Sequence, residues 1–123
     1  MPAGYPRSHR LLTGARYQRV FQGCEHKAGD RLISVLAVAN DLDHPRLGMA
    51  VSIKAAGTAA KRNRIKRLIR ESFRLHQTML GALDVVVVVR RGISDLGNRQ
   101  INHTLDTHWR KIAAHAHTAT ATD

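Results

Sequence analysis

Apolar positions along this chain change period several times, and each change marks an element. Tyr17, Val20 and Phe21 recur at helical spacing. Thr13 is placed to cap the free N–H groups of that helix, Leu12 ahead of it can staple against Tyr17, and Gly23 should stop it. The stretch from Arg31 to Ala39 is nearly all apolar and predicts a strand. A second strand is predicted where Leu47, Met49, Val51 and Ile53 alternate with Gly48, Ala50, Ser52 and Lys54. Asn40 to Pro45, NDLDHP, is the expected turn between the two.

Helical period returns after Gly57. Thr58 can cap, Ala59 and Ala60 are strong helix formers, and the pattern holds to about Leu80 before Gly81. At 100° per residue, Ile65, Leu68, Ile69, Ser72, Phe73 and His76 fall on one side, while Asn63, Arg64, Lys66, Arg67, Arg70 and Arg74 spread over the other. Asp84 then opens Val85 to Val89, a β-branched run that reads as buried on both faces and central in its sheet, closed by Arg90, Arg91 and Gly92. A last helix is predicted from about Asn98 to His115, with Ile101, Leu105, Trp109 and Ile112 on one face.

The predicted order is α, β, β, α, β, α, with room for one early strand to be split. Because a helix joins the second strand to the valine strand, the connection is a crossover, and the sheet should be mixed with helices stacked on it. The fold class is therefore α+β. The chain shows no internal repeat and no linker, so residues 1–117 are expected to form one domain, followed by a small, polar tail, 118–123, expected to be disordered.

Charge turns this outline toward a partner. Lys and Arg number 20 against 9 Asp and Glu, a formal charge of +11. Within residues 61–74, KRNRIKRLIRESFR, only Glu71 lies near the basic face, so the acids that would neutralise a surface helix are mostly missing. Cations packed this densely repel one another, and a phosphate backbone relieves the repulsion. No apolar run reaches the roughly 20 residues of a membrane-spanning helix. The N-terminal MPAGYPRSHR lacks a signal-peptide core, so the expected location is the cytoplasm. The single cysteine, Cys24, has no partner for an internal disulfide.

Catalytic chemistry is poorly provided for. Of the acids only Asp41 and Asp43 are close in sequence, in a turn where Asp serves local hydrogen bonding, and the eight histidines form no metal-binding pattern. No catalytic residue and no metal ligand is assigned. Tyr17 and Phe21, one turn apart, fit a core face; beside Arg16 and Arg19 they also fit a surface on which unpaired bases stack.

Three segments together carry a resemblance: RLGMAVS (RxGxxVS) at 46–52, KRNRIKRLIRESFR at 61–74, and DVVVVVRRG (DxVVVxRxG) at 84–92. In that order they resemble the protein subunit of bacterial ribonuclease P, from about Ser8 to Lys111. An entry at Tyr5, Pro6 and Arg7 and the stretch from Leu96 to Ile112 are similar as well. The resemblance implies a two-layer sandwich with a left-handed crossover through the basic helix, like a domain of a ribosomal protein. It implies that Arg62, Asn63, Arg64, Lys66, Arg67 and Arg70 bind the catalytic RNA subunit. A cleft with Tyr17, Phe21, Arg16 and Lys54 would hold the single-stranded 5′ leader of precursor tRNA. The RNA, with Mg²⁺, would carry out hydrolysis, the protein alone would bind no cofactor, and no obligatory protein partner is implied. Two departures stand out: Ile53 and Lys54 where many members have paired lysines, and aliphatic Ile33 and Val35 near a position that is often aromatic. The bottom-up alternative is a non-catalytic ribosomal or RNA-chaperone module. A DNA-binding regulator lacks a partner helix and turn before Lys61.

Overall fold

The computed structural model describes residues 7–11 and 13–121. Leu12, Tyr5 and Pro6, named above for the staple and the N-terminal entry, lie outside them. A four-stranded sheet has the order β1 (His26–Gly29), β2 (Ile33–Ala39), β4 (Leu83–Val89), β3 (Arg46–Ala50). β1–β2 and β2–β4 are antiparallel, and β3–β4 is parallel. The helices are α1 (Gly14–Gln22), the single turn α2 (Ile53–Ala56), α3 (Ala59–Leu80) and α4 (Asn98–Ala121).

Strand parity decides what each face of the sheet meets. Ile33, Val35, Ala37, Leu47, Val85, Val87 and Val89 face α3 and α4, where Ile65, Ile69, Phe73, Ile101, Leu105, Trp109 and Ile112 complete the main core. Val38 and Val86 face the other way and pack with Leu11 and Val20 under α1. β4 is buried almost throughout because it has a strand on both edges and helices on both faces, as its valines predicted.

α3 and α4 are joined by polar as well as apolar contacts. Trp109 donates its indole N–H to Ser72 Oγ at 2.8 Å, and His76 bridges the Ser72 carbonyl and Asp106. At the far end of the sheet, buried Asp84 receives a two-pronged bond from Arg46, both arms 2.7 Å, and a third from Asn40 at 3.0 Å. This satisfies a carboxylate that would otherwise be very costly to bury.

Four expectations need correction. β2 and β3 are not paired across the 40–45 turn; β4 lies between them, its continuous valine run filling the two-sided slot, while β3, with Arg46, Met49 and Ala50 only partly covered, takes the edge. The alternation does not carry the strand to Ile53. Ser52 caps instead, its hydroxyl accepting from Ala55 N–H at 2.9 Å, and Ile53 and Lys54 lie on α2, with Ile53 exposed. A short strand, His26–Gly29, precedes the expected one, and α4 runs past His115 to Ala121 through an alanine-rich stretch with no breaker.

Candidate nucleic-acid interface

Helix α3 is capped by Thr58, whose hydroxyl accepts from Lys61 N–H at 3.2 Å, and ends at Gly81 in a positive-φ conformation. With Ile65, Ile69 and Phe73 buried, helical geometry fixes where the basic residues go. Arg62, Lys66 and Arg70 follow one another at i, i+4 and i+8 along the flank away from α4. Asn63 and Arg67 are exposed on the outermost side, and Arg64 lies on the flank toward α4.

The electrostatics of the row are unfavourable in isolation. Partial burial pushes the Lys66 ammonium below its ordinary range, and the guanidinium groups of Arg62 and Arg70 push it the same way. Among the described residues no carboxylate pairs with Lys66, Arg67 or Arg70, whereas Arg74 is held by Glu71 and is neutralised. An anion laid along this face would relieve the repulsion, which is the behaviour of a phosphate-backbone contact.

Two arginines of the RNR triplet also have structural partners. Arg62 Nε donates to the Val51 carbonyl at 2.6 Å. Arg64 donates from Nε to Asn98 Oδ1 and from Nη2 to the Leu96 carbonyl, both 2.9 Å. These acceptors are uncharged, so both residues keep a full positive charge. Sequence pattern placed Arg64 on the polar face and the resemblance singled out Arg62, but neither gave a sign that these residues also tie neighbouring loops to α3.

On the opposite face of the sheet the two rings of α1 differ. Tyr17 is half-buried; its hydroxyl accepts from Met49 N–H at 3.1 Å, and its ring lies over Gly48, where an added Cβ would sit 2.7 Å from it. Phe21 is 48% exposed. The core reading therefore applies largely to Tyr17, and Phe21 offers its ring outward. Beside α1, Leu36, Ala50 and Val88 are only partly covered and form an apolar floor. Arg90 edges the same face, donating to Ser34 Oγ at 2.8 Å. Arg16 and Lys54 are both exposed, on α1 and α2.

Parity also relocates one expectation. Ile33 and Val35 point into the α3–α4 core with 1% and 0% exposure, so neither can line a cleft. The β2 residue on the open side is Leu36, which two-residue alternation from buried Val35 would have indicated.

Among the described residues the acids are dispersed and most are engaged. Asp84 is paired with Arg46, Asp106 with Arg110 and His76, and Asp43 with His44. Asp30 caps the N–H groups of Leu32 and Ile33 at 2.8 and 2.9 Å. Among the described residues no group of three or more His, Cys, Asp or Glu is placed to hold a metal ion. No helix among them is long and apolar enough to cross a membrane.

Fold and site define a small α+β module with an uncompensated cationic helix on one side of its sheet and a half-open apolar strip on the other. Comparison with known proteins makes the class specific. A family model described as Ribonuclease P matches residues 5–113. The ribonuclease P protein component of Yersinia enterocolitica is 47% identical over 107 residues, 87% of this chain and 89% of that protein. The component from Vibrio cholerae is 45% identical over 109 residues, 89% and 92% of the two chains. A solved RNase P protein from Staphylococcus aureus superposes with a TM-score of 0.75 at 36% identity, covering 81% of this chain and 91% of that one. The Thermotoga maritima RNase P protein gives 0.73 at 27% identity, covering 84% and 96%.

The chain belongs to the ribonuclease P protein family. It is a protein component of that tRNA-processing endoribonuclease, with an RNA subunit as its partner, and the ribosomal or chaperone alternative is not favoured.

Proposed function

We propose that the outward face of α3 binds the phosphate backbone of the RNA subunit through Arg62, Asn63, Arg64, Lys66, Arg67 and Arg70. The half-open strip beside α1 takes the single-stranded leader of precursor tRNA, with Phe21 stacking on a base, Tyr17 forming the wall, and Arg16 and Lys54 at its margins. The observation that carries this reading is the Arg62–Lys66–Arg70 row, a line of cations with no facing carboxylate among the described residues. The dispersed acids support a positioning role in which the RNA, with Mg²⁺, performs the hydrolysis in the cytoplasm and the protein needs no further protein partner.

The division of labour follows from charge. RNA subunit and substrate are both polyanions, and a basic protein bridging them lowers their mutual repulsion most where Mg²⁺ is scarce. Reconstitution tests it. With the RNA subunit, the protein should restore 5′ processing of precursor tRNA at low Mg²⁺; without that subunit it should cleave nothing. Arg67→Ala should weaken binding to the RNA subunit and flatten the plot of log affinity against log salt by roughly 0.7–0.9. Processing by protein and Mg²⁺ alone, or an unchanged slope, would overturn the reading.

A further inference from the structure

We infer that Arg99, on the first turn of α4, makes a further phosphate contact in the RNA-subunit interface, and that Arg64 is the residue that positions it. The inference rests on the reading of α3 given above.

Arg64 reaches from α3 to the start of α4, where it holds Asn98 Oδ1 and the Leu96 carbonyl, each at 2.9 Å. The segment is tied at other points too. Ser94 Oγ donates to the Ala56 carbonyl at 2.5 Å, and Gly97 N–H donates to Gln100 Oε1 at 2.9 Å. Arg99 follows the clamped Asn98 directly. It is exposed, and among the described residues no carboxylate pairs with it. Arg99 is thus a cation one residue from the Asn98 that Arg64 holds, and because the segment is already tied down, a phosphate can engage it with little loss of freedom.

The position of Arg99 is not explained by folding. The first turn of a helix favours acids and disfavours cations, and α4 has no acid in that turn. A residue placed against local helix preference, with no partner among the described residues, is expected to have an external one.

The test is a set of salt titrations of the RNA subunit with wild type, Arg67→Ala, Arg99→Gln, Asn98→Ala, Arg64→Lys and the Asn98→Ala/Arg99→Gln double variant, each with a thermal melt. Arg99→Gln should weaken binding by about five-fold near physiological salt and flatten the salt slope by roughly 0.7–0.9, while the melting temperature holds or rises. Asn98→Ala removes no charge and should still weaken binding at least about two-fold, with little further effect once Arg99 is Gln, because coupled residues are not additive. Arg64→Lys keeps the charge but lacks the planar fork whose separate nitrogens meet the two acceptors, and should behave like Asn98→Ala. If Arg67→Ala weakens binding and Arg99→Gln does not, the contact is overturned while the reading of α3 stands. If Arg99→Gln lowers the melting temperature together with affinity, its role is structural and the inference fails. Additive effects of Asn98→Ala and Arg99→Gln, or a silent Asn98→Ala, overturn the positioning by Arg64. Silence of both Arg67→Ala and Arg99→Gln overturns the reading of α3 and this inference with it.

Discussion

Phe21→Ala separates substrate contact from packing. The ring is 48% exposed, so of the 150–250 Å² that an aromatic side chain can bury, only about 100 Å² is covered. At 25 cal/mol/Å² that corresponds to about 2.5 kcal/mol, less what alanine retains. A domain with the usual stability of about 5–15 kcal/mol stays folded after such a loss. If an unpaired base stacks on the ring, the same truncation removes roughly 1–3 kcal/mol of binding, or about ten-fold in affinity near the lower half of that range. The assay is equilibrium binding of the reconstituted holoenzyme to precursor tRNA with its leader and to mature tRNA without it, alongside a thermal melt. Leader-dependent affinity should fall by about ten-fold, mature tRNA should bind as before, and melting should fall by no more than about 10 °C. Equal loss for both ligands, or an unfolded variant, would refute the stacking argument and return Phe21 to the core.

Two further outcomes follow from contacts already described. Gly48→Ala puts a methyl group 2.7 Å from the Tyr17 ring; the ring must swing away and Met49 N–H loses its acceptor, so the urea midpoint should drop by the equivalent of about 1–2 kcal/mol, and an unchanged midpoint would mean the ring is not seated on β3. His108 is buried, and burial pushes its imidazole below the ordinary value, with Asp30 at 3.4 Å only partly opposing the shift. The unfolded chain therefore takes up this proton first as pH falls below about 6.5, so stability should decline from there down to the lower folded value, and His108→Gln should flatten that limb in pH-dependent unfolding. His44, raised by its bond to Asp43, contributes stability that is lost as pH rises, so a limb unchanged by His108→Gln would assign the dependence elsewhere.

Much of this architecture was legible from local rules. Thr13, Thr58 and Gly81 sit where capping and stop signals put them, and the valine run is central because only a strand enclosed on both faces is apolar at every position. Strand order was not legible. Nothing local to residues 31–54 says that a strand thirty residues later will separate two consecutive ones, since pairing is a tertiary choice. The same limit applies at the site. Periodicity put Arg64 on the polar face and the resemblance added Arg62, but neither could show that they grip carbonyls of Val51 and Leu96, because those partners come from other segments. Tyr17 and Phe21, equivalent in sequence, part company only when Gly48 offers a seat to one of them.

The central place of β4 governs how the chain can be made. It is the last strand to be synthesised, yet β3 is hydrogen-bonded to it alone among the strands, and β2 needs it on one edge. Until residues 83–89 leave the ribosome, the nascent chain can pair only β1 with β2, and α3 has an incomplete sheet to lie on. Five consecutive valines emerging without a partner are an aggregation hazard, and Asp84 on one side with Arg90 and Arg91 on the other bracket them with charge. A chain broken off between Leu80 and Val89 thus carries the cationic helix without its support, and a polyanion meets that helix on a rigid scaffold only when synthesis is nearly complete.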